Sequence, residues 1–222
     1  MIVAVIGGKG GVGKTTVAYN LAAALEAVVV DADLGMADLP SAHGPDLHDV
    51  LAGRASPIEA VREETPVALL PCGRTLAGAR ATDPRKLVAA IEAVAAEYGR
   101  VVVDCPAGMG GDVGLALHAA DACVLVTAPT EAALSDAVRA RALARELDAG
   151  LVGIVLNRAD GSVSRDLVAR ELGAPVTPIP PSQSLERAQR DGVPVTQVAP
   201  ESTVAERLRS VANAVQSSLN SL

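Results

Sequence analysis

The nine residues Gly8-Lys9-Gly10-Gly11-Val12-Gly13-Lys14-Thr15-Thr16 offer a chemistry that their neighbours do not. They satisfy the spacing G-x-x-x-x-G-K-[ST]. Glycines there let the backbone curl until successive N–H groups point at one anion. In such a loop Lys14 reaches the β- and γ-phosphates, and the Thr15 hydroxyl reaches Mg²⁺. The chain has 19 cationic residues but only three lysines, Lys9, Lys14 and Lys86, and two of them fall in this loop. A compact point charge on a flexible stem suits a phosphate cluster where a planar guanidinium does not.

The flanks give the loop its context. The apolar run Ile2 to Ile6 reads as a buried strand. Val17 to Glu26, with Val17, Leu21, Ala24 and Leu25 on one stripe, reads as a helix whose N-terminus adds its positive dipole end. Two more strand-like runs end in acids. One closes in Asp31-Ala32-Asp33 and continues to Asp38; the other closes in Asp104-Cys105-Pro106-Ala107-Gly108. Carboxylates at strand C-termini face the crevice in which an α/β sheet binds its ligand. A magnesium–triphosphate site needs oxygen ligands for the metal and a group that orients the attacking water. Asp104, with Thr15, suits the metal. Asp33 suits the water and is a second metal candidate, and Asp38 is an alternative for the water.

Seven apolar runs alternate with helical patterns. The strands read as Ile2–Ile6, Ala27–Asp31, Val67–Leu70, Val101–Asp104, Ala122–Thr127, Gly153–Leu156 and Val176–Pro178. Continuous rather than alternating hydrophobicity predicts an α/β fold: a mostly parallel, twisted sheet covered by helices on both faces. Helices are predicted at about 14–26, 84–98, 112–119, 131–148, 162–172, 183–191 and 202–219. Pro84 suits a first turn capped by Asp83, and Ser162 or Ser164 caps the helix that Gly173 ends. The stretch Gly35 to Pro66, broken by Pro40, Pro45 and Pro57, predicts short helices near Leu47–Ala52 and Ile58–Glu64. The 222 residues suit one domain, with no linker or repeat.

Composition narrows the partners. Half the residues are apolar, yet Tyr19 and Tyr98 are the only aromatics, so the core must be aliphatic. A net charge of −7 argues against a general nucleic-acid binder. Cys72, Cys105 and Cys123 form neither a disulfide framework nor a C-x-x-C pair, and read as small apolar residues. No leader precedes the first strand, and no apolar stretch reaches membrane-spanning length, so a cytoplasmic location is expected.

The segment Lys9 to Thr16 resembles the deviant Walker A motif of the MinD/ParA superfamily of P-loop ATPases, marked by an early lysine, here Lys9. Asp31-Ala32-Asp33 resembles that family's switch I, and Asp104-Cys105-Pro106-Ala107-Gly108 its switch II in the form found in MinD. Leu156-Asn157-Arg158 resembles the segment whose Asn contacts adenine. Ile179-Pro180-Pro181-Ser182 resembles the late segment that encloses the base. The resemblance runs over about residues 1–215. It implies a P-loop NTPase domain that takes ATP with Mg²⁺. The loop Gly8, Lys9, Gly10, Gly11, Val12, Gly13, Lys14, Thr15 and Thr16 would bind nucleotide, with Asn157, Arg158, Pro180 and Pro181 at the base. Asp38, Pro106, Ala107 and Gly108 would belong to the switches. Catalysis would rest on Lys9, Lys14 and Asp33, within an ATP-dependent homodimer in which Lys9 reaches the partner's phosphates. The duller role for Lys9 is to neutralise phosphates of its own subunit.

That resemblance further implies a switch for intracellular positioning, driven by an unidentified activator or cargo adaptor. The last helix carries Val204, Leu208, Val211, Val215, Leu219 and Leu222 on one stripe, but beyond Val215 it has no Lys, Arg or aromatic residue. It reads as a helix packed on the sheet rather than a membrane anchor; recruitment to a membrane or pole would need a partner. DNA binding, as in the ParA branch, is a minor alternative that would use Arg139, Arg141, Arg145, Arg187, Arg190, Arg207 and Arg209. An ATP-dependent synthase and an iron–sulfur carrier, both of the same superfamily, compete with the switch; the carrier's C-x-x-C is missing from this chain.

Overall fold

The computed structural model describes residues 1–35, 39 and 43–219. Seven strands form one sheet in the order β3-β2-β4-β1-β5-β6-β7, and all its pairings are parallel. The strands are β1 Ile2–Ile6, β2 Val28–Asp31, β3 Leu69–Leu70, β4 Val101–Asp104, β5 Ala122–Thr127, β6 Gly150–Asn157 and β7 Val176–Ile179. The helices are α1 Lys14–Leu25, α2 Leu47–Leu51, α3 Leu76–Ala81, α4 Leu87–Tyr98, α5 Gly111–Ala119, α6 Glu131–Glu146, α7 Arg165–Leu172, α8 Gln183–Asp191, α9 Val195–Val198 and α10 Thr203–Leu219.

The strands are apolar throughout because both faces are covered. In β1, Ile2, Ala4 and Ile6 enter the core formed with α2, α4, α5, α6 and α7. Val3 and Val5 enter the opposite core, formed with α1, α8, α9 and α10. Alternate side chains of one five-residue strand thus supply two aliphatic layers. β1 lies between β4 and β5, so the chain leaves it in one direction and later returns on the other side. That reversal opens a crevice beyond the strand C-termini, where the Gly7–Gly13 segment, Asp31 and Asp104 lie.

Several predicted elements differ. The expected helix near Ile58–Glu64 is absent: a turn covers 57–60, and Arg62 then pairs antiparallel with Leu69. That bridge replaces helical hydrogen bonding with N–H and C=O bonds of 2.7 and 3.0 Å. β3 is shorter than Val67–Leu70, and β6 begins at Gly150, three residues early, pairing across a bulge at Cys123/Val124. Helices α3 and α9 have no counterpart in the sequence reading. α3 buries no residue, so it has no apolar stripe to read; Thr75 caps it by accepting from the Gly78 amide. Pro84 and Asp83 act as expected, but in a 3-10 turn, Pro84–Lys86, that leads into α4. Ser164, rather than Ser162, caps α7. In α10, Val204, Leu208, Val211 and Val215 are buried in the layer shared with α1, so the stripe is occupied by the fold itself. Leu222 lies outside the described residues.

Candidate functional site

The loop between β1 and α1 is gripped at its shoulders and open in its middle. A Cβ on Gly8 would collide with the backbone carbonyl of Asp136 on α6, and one on Gly13 would collide with Asn157 Nδ2. At Gly11 a Cβ would meet nothing within 4 Å, and at Gly10 only the Ala107 Cβ at 3.9 Å. Gly11 (φ +77°) and Gly13 (φ +99°) take the left-handed backbone that curls N–H groups inward. Among the described residues seven helical starts use a side-chain cap: Asp46, Thr75, Asp83, Thr130, Ser164, Ser182 and Ser202 each accept from a backbone amide. α1 does not. It starts at Gly13 with no side-chain cap and no acid in its first turn, which leaves its dipole and its first amides for an anion. Lys14 is 8% exposed, with its stem against Gly7, and Lys9 is exposed.

The wall beside the loop comes from the ends of β6 and β7. Asn157, 6% exposed, donates from Nδ2 to the Val12 carbonyl at 2.8 Å, and its Oδ1 accepts the Arg158 amide at 3.0 Å. Arg158, itself left-handed at φ +56°, donates from Nη1 to the Gly11 carbonyl at 3.0 Å. Asn157, Arg158, Pro180 and Pro181 line one cavity with Gly13 and Thr16, so the structure brings together all four residues expected at the base. Ser182, in the segment expected to enclose the base, lines it too; sequence reasoning missed Leu185, Glu186 and Gln189. Their helical spacing after Pro180-Pro181 was the available signal. Thr16 Oγ1 donates to Gln189 Oε1 at 3.1 Å, which ties α1 to α8.

Opposite lie the acids. Asp31 and Asp104 are register neighbours on β2 and β4, exposed by 0% and 2%. Asp31, given no role from sequence, ties down two later amides: Oδ1 accepts the Asp33 amide at 3.2 Å and Oδ2 the Leu39 amide at 3.3 Å. Asp33 is half-buried, and its Oδ1 accepts the Gly35 amide at 3.3 Å. Asp38 lies outside the described residues. After β4, Pro106 is half-buried and Ala107 is exposed beside Gly10. Gly108 turns at φ +91°. α5 follows, starting at Gly110, again without a side-chain cap. In its first turn Asp112 has its carboxyl held above the usual aspartate range, by burial first and by the charge on Asp33 second.

These groups fit a magnesium-bound triphosphate. The open glycine arc, uncapped α1 and Lys14 suit phosphates, and the Thr15 hydroxyl with Asp33 and Asp104 offers the oxygen donors a hard cation takes. Among the described residues no group of three or more His, Cys, Asp or Glu could hold a metal ion.

A parallel sheet with this loop after its central strand defines a P-loop nucleoside triphosphatase. The chain belongs to the CobQ/CobB/MinD/ParA nucleotide-binding family: residues 3–195 match that domain (CbiA). It is an ATPase of this family and, within it, is similar to MinD, with ATP and Mg²⁺ as cofactors. An ATP-binding protein of Methanocaldococcus jannaschii is 32% identical over 95% of this chain and 85% of its own. The cell division ATPase MinD of Pyrococcus furiosus superposes with a TM-score of 0.90 at 30% identity, covering 97% of this chain and 98% of that one. The septum site-determining protein MinD of Pyrococcus horikoshii, solved with Mg-ADP, gives 0.89 at 29% identity over 96% and 95%. No helix among the described residues is long and apolar enough to cross a membrane.

Proposed function

We propose that this chain works as one ATPase domain whose output is the placement of another component in the cell. ATP joins two copies, and hydrolysis releases them. The observation that carries this reading is the loop itself: an uncapped α1, an open arc at Gly10 and Gly11, and a second, exposed lysine, Lys9, on the same segment.

Within one subunit, Lys14 and the α1 amides hold the β- and γ-phosphates. Asn157 and Arg158 fix the loop, and with Pro180 and Pro181 they wall the base. Thr15, Asp33 and Asp104 would hold Mg²⁺, which would supply neutralisation of the β- and γ-phosphate charge. Asp33 orients the attacking water. Lys9 is exposed, so it can stabilise phosphoryl charge in a facing copy, and it does so only when the dimer is assembled. Ala107, beside Gly10 in the segment Pro106–Gly108, lies where the state of the nucleotide would be felt. The similarity to MinD proteins of cell division supports a positioning role.

The DNA-binding alternative has less support. Arg139 pairs with Asp136 at 3.1 Å and Arg187 with Asp191 at 3.5 Å, while Arg141 and Arg209 donate to the Leu172 and Pro200 carbonyls. The buried stripe of α10 argues against membrane binding by that helix, so recruitment to a membrane or pole requires a partner protein.

The test is a set of single variants read by nucleotide binding and turnover. Lys14→Ala should lose ATP binding. Asp33→Ala should keep ATP and stop turnover. Lys9→Ala should bind ATP without efficient hydrolysis. Parent-like hydrolysis by Lys9→Ala would rule out its action across the dimer.

A further inference from the structure

The backbone that carries Asp33 is held from behind by two side chains that no motif marks. His48, on α2, is 2% exposed, and its Nε2 lies 3.0 Å from the Leu34 carbonyl oxygen. A carbonyl only accepts, so Nε2 carries the ring proton. Nδ1 of the same ring is buried with no hydrogen-bond partner. The glycines at 73 and 78 lie over it: a Cβ on Gly78 would stand 2.8 Å from Nδ1. Cys72 Sγ also lies 3.4 Å from Nε2, so one ring nitrogen faces both the Leu34 carbonyl and this thiol while the other is left without a partner. Burying a polar group in this way costs stability.

The second holder is Arg74, an exposed residue between β3 and α3, which donates from Nη2 to the Leu39 carbonyl at 3.1 Å. The Leu39 amide donates to Asp31. The chain after Asp33 is thus held at Leu34 and at Leu39. Both holders belong to one unit, because the Leu47 amide of α2 bonds the Pro71 carbonyl at 2.9 Å, three residues before Arg74.

We propose that His48 and Arg74 are positioning residues for ATP hydrolysis: they clasp Leu34 and Leu39 so that the Asp33 carboxylate stays at the phosphate end of the site. They act through the backbone. The proposal rests on the role given to Asp33 above, so its test separates the two.

Hydrogen–deuterium exchange over residues 32–39 of nucleotide-free protein reads the clasp directly. Steady-state ATP hydrolysis and ADP affinity read its consequence. His48→Ala and Arg74→Met should each speed exchange by ~5- to 10-fold, the loss of about one net hydrogen bond. They should lower kcat by roughly tenfold with KM and ADP affinity within about twofold, as expected when geometry rather than binding is lost. His48→Gln, whose amide can donate to the same carbonyl, should recover most of both. Asp33→Asn should stop turnover with exchange near the parent rate; full turnover by that variant would sink the reading of Asp33 and leave the exchange data to judge the clasp. If His48→Ala does not fold, Arg74→Met carries the test from the surface. Parent-like exchange in the folded variants overturns the clasp. Faster exchange with unchanged kcat overturns its role in hydrolysis.

Discussion

Asn157 and Val12 stand 145 positions apart and are joined by a 2.8 Å hydrogen bond from the Asn157 amide to the Val12 carbonyl. The bond runs from the end of β6 to the middle of the phosphate loop. A residue expected at the adenine base therefore also fixes the loop that holds the phosphates. Because Val12 is buried, its carbonyl has little water to fall back on. Asn157→Ala should weaken Mg-ADP binding by roughly tenfold and lower stability by about 1–3 kcal/mol. Calorimetric titration and urea unfolding would measure the two. Unchanged affinity would mean that the loop keeps its shape without this tie.

The glycines of the loop should not be equivalent. Gly8→Ala drives a methyl into the Asp136 backbone and should cost about 3 kcal/mol or more, since a carbonyl in mid-helix cannot move aside. Gly11→Ala meets open space and carries only the strain of a positive φ, about 1–2 kcal/mol. Urea midpoints of the two variants should separate in that order. At Gly11 nucleotide affinity should fall further than stability does, because the methyl enters the open arc.

The three thiols should be inert in the native protein. Burial pushes Cys123 up to about 12, and it raises Cys72 and Cys105 as well, with nearby aspartates adding to both. Thiolate is the reactive form, so iodoacetamide at pH 8 should label the chain in urea and not the folded protein. Labelling of native protein within minutes would contradict the burial of all three.

Asp112 should leave a signature in acid. Its raised carboxyl means that, as pH climbs, the unfolded chain releases this proton before the folded one does. Its contribution to stability is present below the ordinary aspartate value and is lost as pH rises through the higher folded value. Asp112→Asn should flatten that part of the profile and be no less stable than the parent at neutral pH. The group is partly solvated, so the effect should stay below about 1 kcal/mol. Urea unfolding across pH 3 to 7 would show it.

What could be read from the chain alone follows from what the parts require. Parallel strands covered on both faces must be apolar at every position, so β1, β4 and β5 appear in the sequence with the ends they have in the structure. The phosphate loop is legible because its glycines answer a local backbone demand. Residues that act through distant contacts are not. Asp31 resembles any strand-end acid until its two accepted amides are seen. His48 lies in a five-residue helix with no motif, and Arg74 in a connector. The α8 side of the base cavity is polar surface in sequence and becomes a wall only when Thr16 meets Gln189. The expected helix at Ile58–Glu64 failed for a similar reason: pairing between Arg62 and Leu69 overrode local propensity.

The proposed switch requires that the loop grip magnesium-bound ATP and that two copies share the grip. The most direct measurement is the molecular mass of Asp33→Ala by light scattering, with Mg-ATP, with Mg-ADP and without nucleotide, beside the same variant carrying Lys9→Ala. A doubled mass with Mg-ATP alone, lost when Lys9 is replaced, is the predicted result. A single, unchanged mass in all three conditions, with ATP shown to be bound, would contradict it.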